Sequence, residues 1–268
     1  MLNYVSEHAK EYATTYGNVS SQSVGAILRA LIAVENQGGD VFFGEPALEL
    51  ADWFACDPNG QGYVNILNAA RIIQQPQIYS MFLLWMLSDL FEKLPEVGDL
   101  DKPKFVFFFD EAHLLFKDMP TELLNKIIQV VKLIRSKGVG VYFITQSPSD
   151  IPGEVLAQLS NRVQHGLRAY TPAEQKAVKA AAGAFRANPN FKSEEAIMEL
   201  GTGEALVSFL DADGKPSVVE NAKVLPPQCL MAAASDEAKA AVIQGQAALM
   251  AKYGAAIDRE SAYEMIQD

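Results

Sequence analysis

The stretch that decides the fold is Lys104-Phe105-Val106-Phe107-Phe108-Phe109-Asp110-Glu111-Ala112-His113. Its apolar run shows no polar alternation, which is typical of a strand buried on both faces in a parallel sheet covered by helices. The run ends at two adjacent carboxylates, Asp110 and Glu111. Open α/β sheets place their ligand sites at the carboxyl ends of such strands. The stretch therefore predicts an α/β fold with a candidate site at one edge of the sheet.

An apolar strand that runs into Asp-Glu is the pattern of the Walker B strand in P-loop ATPases. In that interpretation Asp110 holds a Mg²⁺ ion, usually through water, and Glu111 polarises the water that attacks ATP. The alternative is a buried strand followed by an ordinary acidic loop. The length of the run and its abrupt end at two carboxylates favour the functional interpretation. His113 is interpreted as a residue of a loop or a helix start rather than as a catalytic group.

The surrounding sequence alternates between strand and helix patterns, as in a nucleotide-binding α/β sheet. Polar residues gather at the strand ends. Two helices are predicted before this region, over residues 3–16 and 20–37. The predicted strands are 63–67, 104–109, 139–144 and 162–168. The helices predicted between and after them are 77–94, 120–137, 153–160, 172–186 and 193–199. Residues 204–210 and 217–221 are predicted to form a hairpin.

The strand 139–144 ends in Thr145-Gln146, which is the best companion to the carboxylate pair. If this strand lies beside the first one, Gln146 comes close to Glu111. A glutamine in that place orients water or senses the γ-phosphate in phosphoryl transfer. The alternative is a strand-end amide that satisfies the loop backbone.

Two arginines, Arg162 and Arg168, flank the third predicted strand. Their even separation places both on one face of that strand. An arginine at a subunit boundary can stabilise charge on a neighbour's transferring phosphate. The alternative is a solvated strand end that makes ordinary ion pairs. Residues 162–192 carry six Lys or Arg and one acid. Such a basic segment suits nucleic acid or a neighbouring subunit, but the nucleic-acid case is weak without interleaved aromatic residues.

The composition limits the class of protein. A hydrophobic content of 49% and a charged content of 21% are ordinary for a soluble globular protein, and the net charge of −11 opposes non-specific attraction to nucleic acid or anionic membrane. Two cysteines give neither a metal spacing nor a disulfide framework, so a cytoplasmic location is expected. The sequence shows no signal peptide, and its longest apolar helix candidate, 78–94, carries three charges, so no membrane association is expected.

One expected motif is missing. The sequence contains no Gly-x-x-x-x-Gly-Lys-[Ser/Thr], and its single Gly-Lys pair, Gly214-Lys215, is followed by Pro216. Without that loop no backbone nest cradles phosphates and no lysine reaches them. Two interpretations stay open: a carboxyl-terminal part of a longer ATPase whose loop precedes residue 1, or a degenerate domain that hydrolyses nothing.

Several segments together resemble the YjgR-like bacterial proteins of the HerA–FtsK superfamily. They are Phe107 to Phe116, Ile134 to Phe143, Asn161 to His165 and Gly201 to Leu206. The resemblance runs from near the start to about Val224 and implies a RecA-like P-loop NTPase core, a parallel sheet flanked by helices. It also implies use of ATP and Mg²⁺, a homo-oligomer that is usually a hexameric ring, and double-stranded DNA as a possible partner.

The resemblance also implies residue roles. By position, Asp110 binds magnesium, Glu111 is the catalytic base, and Gln146 senses the γ-phosphate. Arg162, and less surely Arg168, acts near a phosphate. The function expected is a motor-type ATPase of the HerA/FtsK kind; the alternative is a non-catalytic assembly or regulatory module that keeps the fold.

Three segments are predicted along the chain. Residues 1–61 form a mainly helical segment on the core, 62–225 the partial ATPase core with its terminal hairpin, and 226–268 a helical tail. The tail either docks on the body or on a neighbouring subunit, or is loosely attached or partly disordered, and the sequence does not choose between these.

Overall fold

The computed structural model describes residues 2–17, 20–39, 42–70, 72–98, 100–116, 121–257 and 260. The chain forms two compact units, residues 1–79 with 234–268, and residues 80–233. The three segments predicted from the sequence, with boundaries near residues 61 and 225, stay a prediction. Among the described residues, no helix combines the length and hydrophobicity that a membrane crossing requires.

Helices and strands alternate through the middle of the chain, as the sequence predicts. The helices are α1 (Leu2–Glu7), α2 (Ala9–Tyr16), α3 (Ser21–Val34), α4 (Pro76–Lys93), α5 (His113–Phe116), α6 (Thr121–Leu133), α7 (Gly153–Leu156), α8 (Pro172–Gly183), α9 (Ser193–Glu199), α10 (Asp236–Gln244) and α11 (Ala247–Tyr253). The strands are β1 (Phe105–Phe109), β2 (Val139–Phe143), β3 (Arg162–His165), β4 (Glu204–Ser208) and β5 (Glu220–Lys223). Shorter 3₁₀ or π segments are Glu35–Gly39, Leu50–Phe54, Ile72–Gln74, Ile134–Lys137 and Pro148–Asp150.

The first unit is mainly helical. Ser20 begins α3 as its N-cap, because its hydroxyl accepts a hydrogen bond from the backbone N–H of Ser23 at 3.0 Å. The single helix predicted over residues 3–16 is wrong, since the chain leaves helical geometry at His8. The imidazole of His8 stacks on the ring of Tyr4 at a centroid distance of 4.0 Å, and its Nδ1 lies 3.0 Å from the Tyr4 carbonyl oxygen.

The carboxyl-terminal segment docks within this same unit. The ammonium of Lys252 lies 2.7 Å from a carboxylate oxygen of Glu49 and 2.9 Å from one of Asp52. The hydroxyl of Tyr253 donates to the same Asp52 oxygen at 2.5 Å and accepts from the backbone N–H of Glu49 at 3.0 Å. Helix α11 is therefore docked within this unit, whereas the predicted tail as a segment stays a prediction; its residues 258, 259 and 261–268 lie outside the described residues.

In the second unit, β1 and β2 pair in parallel, with Phe105 opposite Val139 and Phe109 opposite Phe143. The chain between them contains α5, α6 and the 3₁₀ turn Ile134–Lys137. Because the strands run in parallel, their carboxyl ends lie at the same edge of the sheet. The two strands and the helix predicted between them are confirmed.

The expected burial of both sheet faces is wrong for the described residues. Phe107 and Phe109 are buried on one face, whereas Phe108 is 65% exposed and Tyr142 is 54% exposed on the other. Their rings stack on each other with a centroid distance of 4.7 Å. Among the described residues this sheet has two strands, and no described element covers this face. The structure is therefore α/β with a small parallel sheet.

The strand predicted over Tyr63–Leu67 is also wrong. Val64 is 89% exposed and Ile66 is 88% exposed, and no described strand pairs with the segment. The side chain of Asn65 instead donates to the carbonyl of Trp53 at 3.1 Å. Aromatic and β-branched residues favour a strand only where a neighbouring strand accepts their backbone bonds.

A separate antiparallel sheet contains β3, β4 and β5 in that order. The predicted hairpin of β4 and β5 is confirmed. The third strand ends at His165 rather than at Arg168, because the backbone N–H of Leu167 turns to the carbonyl of Ile197 at 3.2 Å. Helices α8 and α9 cover one side of this sheet, and the buried core there consists of Val178, Ala181, Ile197, Leu200, Leu206 and Val219.

Candidate active site

The backbone stays paired beyond the ends of β1 and β2. The N–H of Ile144 donates to the carbonyl of Phe109 at 2.9 Å, and the N–H of Ala112 donates to the carbonyl of Ile144 at 2.9 Å. These two bonds extend the parallel ladder into the turn that follows β1. The residues that follow the two strands, Glu111 and Gln146, are thereby held side by side.

The side chains of Glu111 and Gln146 contact each other directly. The Gln146 Nε2 donates to Glu111 Oε1 at 3.2 Å and lies 3.5 Å from Oε2. Glu111 keeps 39% of its side chain exposed, and Gln146 is exposed. The proximity that parallel pairing predicts is confirmed, and the chemical roles of the two residues stay predictions.

Glu111 also has an unusual backbone. Its φ is +49°, and among the described residues other than glycine it alone has a positive φ. A residue with a Cβ adopts this left-handed region at a cost of roughly 1–2 kcal/mol. Such strain persists where the surroundings hold the residue in place, and it is found preferentially at functional sites.

Asp110 is exposed at the end of β1. Its Oδ1 accepts a hydrogen bond from the backbone N–H of Glu111 at 3.0 Å, which leaves Oδ2 directed to no described partner. In the described part of the chain, no three His, Cys, Asp or Glu side chains gather as a metal cluster. A single carboxylate suits Mg²⁺, which binds proteins through one or two carboxylates and retains water and phosphate oxygens as its other ligands.

His113 faces Glu111 from the first residue of α5. Its Nδ1 lies 3.2 Å from Glu111 Oε2, an ion-pair distance, but the alignment is not that of a hydrogen bond. The imidazole, with 31% of its side chain exposed, borders an open depression of about 370 Å³. Phe116, Gln146 and Asp150 also line this depression.

The turn after β2 is held by its own hydroxyl groups. The Thr145 hydroxyl lies 3.3 Å from both the carbonyl of Ser147 and a carboxylate oxygen of Asp150. The Ser147 hydroxyl accepts from the backbone N–H of Ser149 at 3.4 Å and begins the 3₁₀ turn Pro148–Asp150. The turn brings Asp150 to the depression and fixes the backbone on either side of Gln146.

Arg162 bonds to backbone rather than to the carboxylates. Its guanidinium donates to the carbonyls of Leu156, Leu159 and Ala184 at 3.2, 3.1 and 3.0 Å. Burial lowers the pKa of this guanidinium from its ordinary value, and the group stays charged. Among the described residues, none of its hydrogen bonds reaches Glu111 or Gln146.

Arg168 occupies a similar place at the end of α9. Its guanidinium donates to the carbonyl of Met198 and to that of Leu200 at 2.8 Å. The last carbonyls of a helix have no partner within the helix, and a cation satisfies both their hydrogen bonds and the negative end of the helix dipole. The two arginines of the sequence prediction therefore lie at helix ends, and the structure does not bond them to the strand-end residues.

The sequence patterns predict no role at this edge for His113 or Asp150. For His113, the available signal was its separation of two residues from Glu111 within a turn, which returns the chain toward the strand end. For Asp150, it was the turn sequence Ser147-Pro148-Ser149-Asp150, which brings its fourth residue back toward Thr145.

The arrangement combines a proton acceptor with a hydrogen-bond donor at an open edge. The Glu111 carboxylate can take a proton from water, and the Gln146 amide can donate to water or to an anionic oxygen. Asp110 adds a second carboxylate with an available oxygen. This combination, at the carboxyl ends of parallel strands, defines an α/β protein with a candidate hydrolytic site.

The family follows from the whole chain. Residues 1–268 match the sequence model of the family described as helicase HerA-like C-terminal, and the chain belongs to this family. The HerA-like family membership that the sequence predicts is thereby confirmed, while the relation to FtsK and the YjgR-like subgroup stay predictions.

Comparison with solved structures finds weaker likenesses. The genome packaging NTPase B204 from Sulfolobus turreted icosahedral virus 2, in complex with AMPPCP, is 17% identical with a TM-score of 0.37, over 69% of this chain and 75% of that one. The DNA-packaging ATPase B204 from Sulfolobus turreted icosahedral virus is 16% identical with a TM-score of 0.39, over 69% and 76%. Likenesses of this degree carry no inference about this chain. Comparison with curated proteins gives no match.

Proposed function

We propose that this chain supplies the water-activating half of an ATPase site in a HerA-like motor. The observation that carries the proposal is the contact between Glu111 and Gln146 at 3.2 Å, at the shared carboxyl edge of β1 and β2. A candidate base and a candidate phosphate sensor meet there, and Gln146 lines the open depression. Membership in the HerA-like family supports the same chemistry.

In this proposal Asp110 binds Mg²⁺, mainly through water. Its exposed position and available oxygen fit an ion that arrives with the nucleotide, since Mg²⁺ retains several waters and takes phosphate oxygens as ligands. The ion, when bound, neutralises charge on the β- and γ-phosphates. The site has no preformed cluster of three protein ligands among the described residues, which suits Mg²⁺ and argues against a structural zinc site.

Glu111 then accepts the proton of the attacking water, and Gln146 reports the γ-phosphate through its amide. The hydrogen bond from Gln146 orients the carboxylate while 39% of the Glu111 side chain stays exposed. Hydrolysis proceeds by in-line attack, and the protein contributes mainly positioning and electrostatic stabilisation. The sequence contains no Gly-x-x-x-x-Gly-Lys-[Ser/Thr] loop, so ATP hydrolysis at this site requires a phosphate-binding loop in addition to these residues.

We retain Arg162, and with less support Arg168, as candidates for the arginine that acts near a phosphate. Their observed bonds compete with this role. Arg162 would have to release three backbone carbonyls, and Arg168 two, before either reached a phosphate. Family membership is the support for the role, and the geometry favours a structural one.

Family membership also supports the larger assembly that we propose, a RecA-like core in a hexameric FtsK-like ring that moves double-stranded DNA. A motor that tracks phosphates binds DNA with a steep salt dependence, because phosphate contacts release counterions. A DNA affinity that did not change with salt would argue against translocation.

The test of the proposed function is the substitution Glu111→Gln in the protein expressed from its complete gene. Loss of the base should lower the ATP turnover by roughly 100-fold or more, since general-base catalysis contributes about 10²–10⁴-fold. ATP binding, measured by calorimetry, should persist. The matched control is Glu154→Gln, an exposed carboxylate whose nearest ammonium, that of Lys132, is 3.8 Å away; its turnover should stay unchanged.

Two results would contradict the proposal. Wild-type turnover in Glu111→Gln would remove Glu111 as the base. If neither the wild type nor the variant bound Mg²⁺-ATP, the alternative would be favoured, a non-catalytic assembly or regulatory module with the same fold.

A further inference from the structure

One imidazole nitrogen of His113, Nδ1, is buried but makes no hydrogen bond among the described residues. The carboxylate oxygen Oε2 of Glu111 lies 3.2 Å away. Buried polar atoms without a partner are rare in folded proteins, and each one requires an explanation in terms of strain, function or an additional ligand.

Glu111 is approached from two sides. The Gln146 amide donates to Oε1 at 3.2 Å from the end of β2, and the His113 Nδ1 faces Oε2 from the start of α5. The backbone of Glu111 lies in the left-handed region, with a φ of +49°. Gln146 is thus closest to Oε1, whereas Oε2 has His113 at 3.2 Å and Gln146 at 3.5 Å.

We propose that His113 is a positioning residue for Glu111, whose carboxylate it holds through a hydrogen bond from Nδ1–H to Oε2. The inference rests on the proposed function, in which Glu111 is the base. Hydrogen bonds around a catalytic base are often misaligned at rest and tighten in the reacting complex. At 3.2 Å the two atoms are already within hydrogen-bond distance, and only their alignment has to change.

The geometry also determines the tautomer of His113. Because the carboxylate can only accept, Nδ1 must carry the proton when the ring is neutral. The Nε2 atom is then an acceptor on the ring that borders the depression. This tautomer can be measured without any catalytic activity.

The first test is a ¹⁵N NMR measurement of the imidazole nitrogens in the 268-residue chain. The sequence has three histidines, so substitution assigns each signal. His113 should show a protonated Nδ1 when neutral, and Glu111→Gln should shift its signals. The control is His165, whose Nδ1 lies 3.1 Å from the carbonyl oxygen of Glu204 and should not respond to Glu111→Gln. An Nε2–H tautomer at His113, unaffected by Glu111→Gln, would overturn the inference.

The second test uses the protein from its complete gene and compares three substitutions of His113. His113→Ala should lower kcat for ATP roughly 10-fold with the KM nearly unchanged, because a misplaced base slows the chemical step more than binding. Asparagine places its amide nitrogen near the position of Nδ1, whereas glutamine places its amide nearer that of Nε2. His113→Asn should therefore restore most of the kcat, and His113→Gln should not.

The outcomes separate this inference from the proposed function. If Glu111→Gln abolishes turnover but His113→Ala does not lower it, only the positioning role fails. If Glu111→Gln leaves turnover intact, the proposed function fails, and the NMR measurement still decides whether His113 holds Glu111. If His113→Ala does not fold, the Asn and Gln variants decide, and equal kcat values for these two would overturn the role.

Discussion

Polar side chains in two parts of the second unit use their hydrogen bonds in opposite ways. At the carboxyl edge of β1 and β2, Glu111 and Gln146 bond to each other and remain exposed. Beside the antiparallel sheet, Arg162 and Arg168 bond to backbone carbonyls. The first pair leaves hydrogen-bonding capacity at an open edge, whereas the second pair has most of its capacity occupied by the fold.

This difference in hydrogen-bond partners distinguishes a residue that is available to bind a ligand from one that stabilises the fold. A side chain that bonds to another side chain at an open edge can exchange that bond for one to a ligand at little cost. A guanidinium that satisfies carbonyls at helix ends cannot, because each carbonyl it leaves would need a new donor. Residue type and sequence position do not distinguish a ligand-binding side chain from a structural one. The hydrogen-bond partners of the side chain do.

The largest expected effect lies at Arg162. Arg162→Ala removes three hydrogen bonds from a charged donor and leaves three carbonyls without it. We expect the free energy of unfolding of the second unit to fall by about 3 kcal/mol. The chain has two tryptophans, and Trp85 lies in the second unit. Urea unfolding followed by Trp85 fluorescence in a Trp53→Phe background measures this loss.

The matched control for this experiment is Arg186→Ala. The Arg186 guanidinium is exposed and makes one long bond, 3.4 Å, to the carbonyl of Pro216, so its removal should change stability by less than about 0.5 kcal/mol. Unchanged stability in Arg162→Ala, together with lost ATP turnover, would break the comparison and favour the phosphate-binding role of Arg162.

A smaller effect of opposite sign is expected at Glu111. Glycine adopts a φ of +49° without the steric cost that a Cβ brings, so Glu111→Gly should raise the free energy of unfolding by about 1 kcal/mol. The same substitution should abolish turnover in the complete protein. Gln146→Gly, at a position without positive φ, should lower stability by a similar amount and serves as the control.

A stabilised Glu111→Gly variant would show that the fold tolerates strain at this residue for the sake of its side chain, a trade of stability against function that is common at active sites. A destabilised variant would mean that the contacts of Glu111 with Gln146 and His113 outweigh the strain. The edge of the parallel sheet would then resemble the arginine region, where polar bonds serve stability.

Much of the strand-end site could be predicted from the sequence. The apolar run before Asp110 and the second run before Gln146 specify two strands, and parallel pairing alone brings Glu111 beside Gln146. This inference needs only the local pattern and the rule that parallel strands end at one edge. The proximity of His113 occurs beside a left-handed backbone at Glu111, and the sequence does not indicate that conformation, because it is most often adopted by glycine.

The remaining differences concern long-range pairing. The segment Tyr63–Leu67 has strand composition, but pairing depends on a partner that the local sequence does not specify. The arginines looked like site residues because spacing cannot show whether a guanidinium faces a ligand or a helix end. The third strand stops at His165 for a similar reason, since the competing partner, the carbonyl of Ile197, is far away in sequence.

The smallest expected effect lies in the first unit, and it tests whether side chains that bond to each other always indicate a site. Asp52 accepts from the Tyr253 hydroxyl and from the Lys252 ammonium, and these bonds lower the pKa of its carboxyl below the ordinary value of 3.8. The stabilisation is therefore complete above that value and is lost as the pH falls below it toward the folded-state pKa. We expect Asp52→Asn to cost about 0.5 kcal/mol at neutral pH, and the difference from wild type to shrink only as the pH falls toward and below 3.8. Urea unfolding followed by Trp53 fluorescence in a Trp85→Phe background measures it. A stability difference that did not depend on pH would show that the charge of Asp52 does not hold the tail. The expected decline would show that this cluster stabilises the fold as the arginines do, even though its hydrogen bonds join side chains.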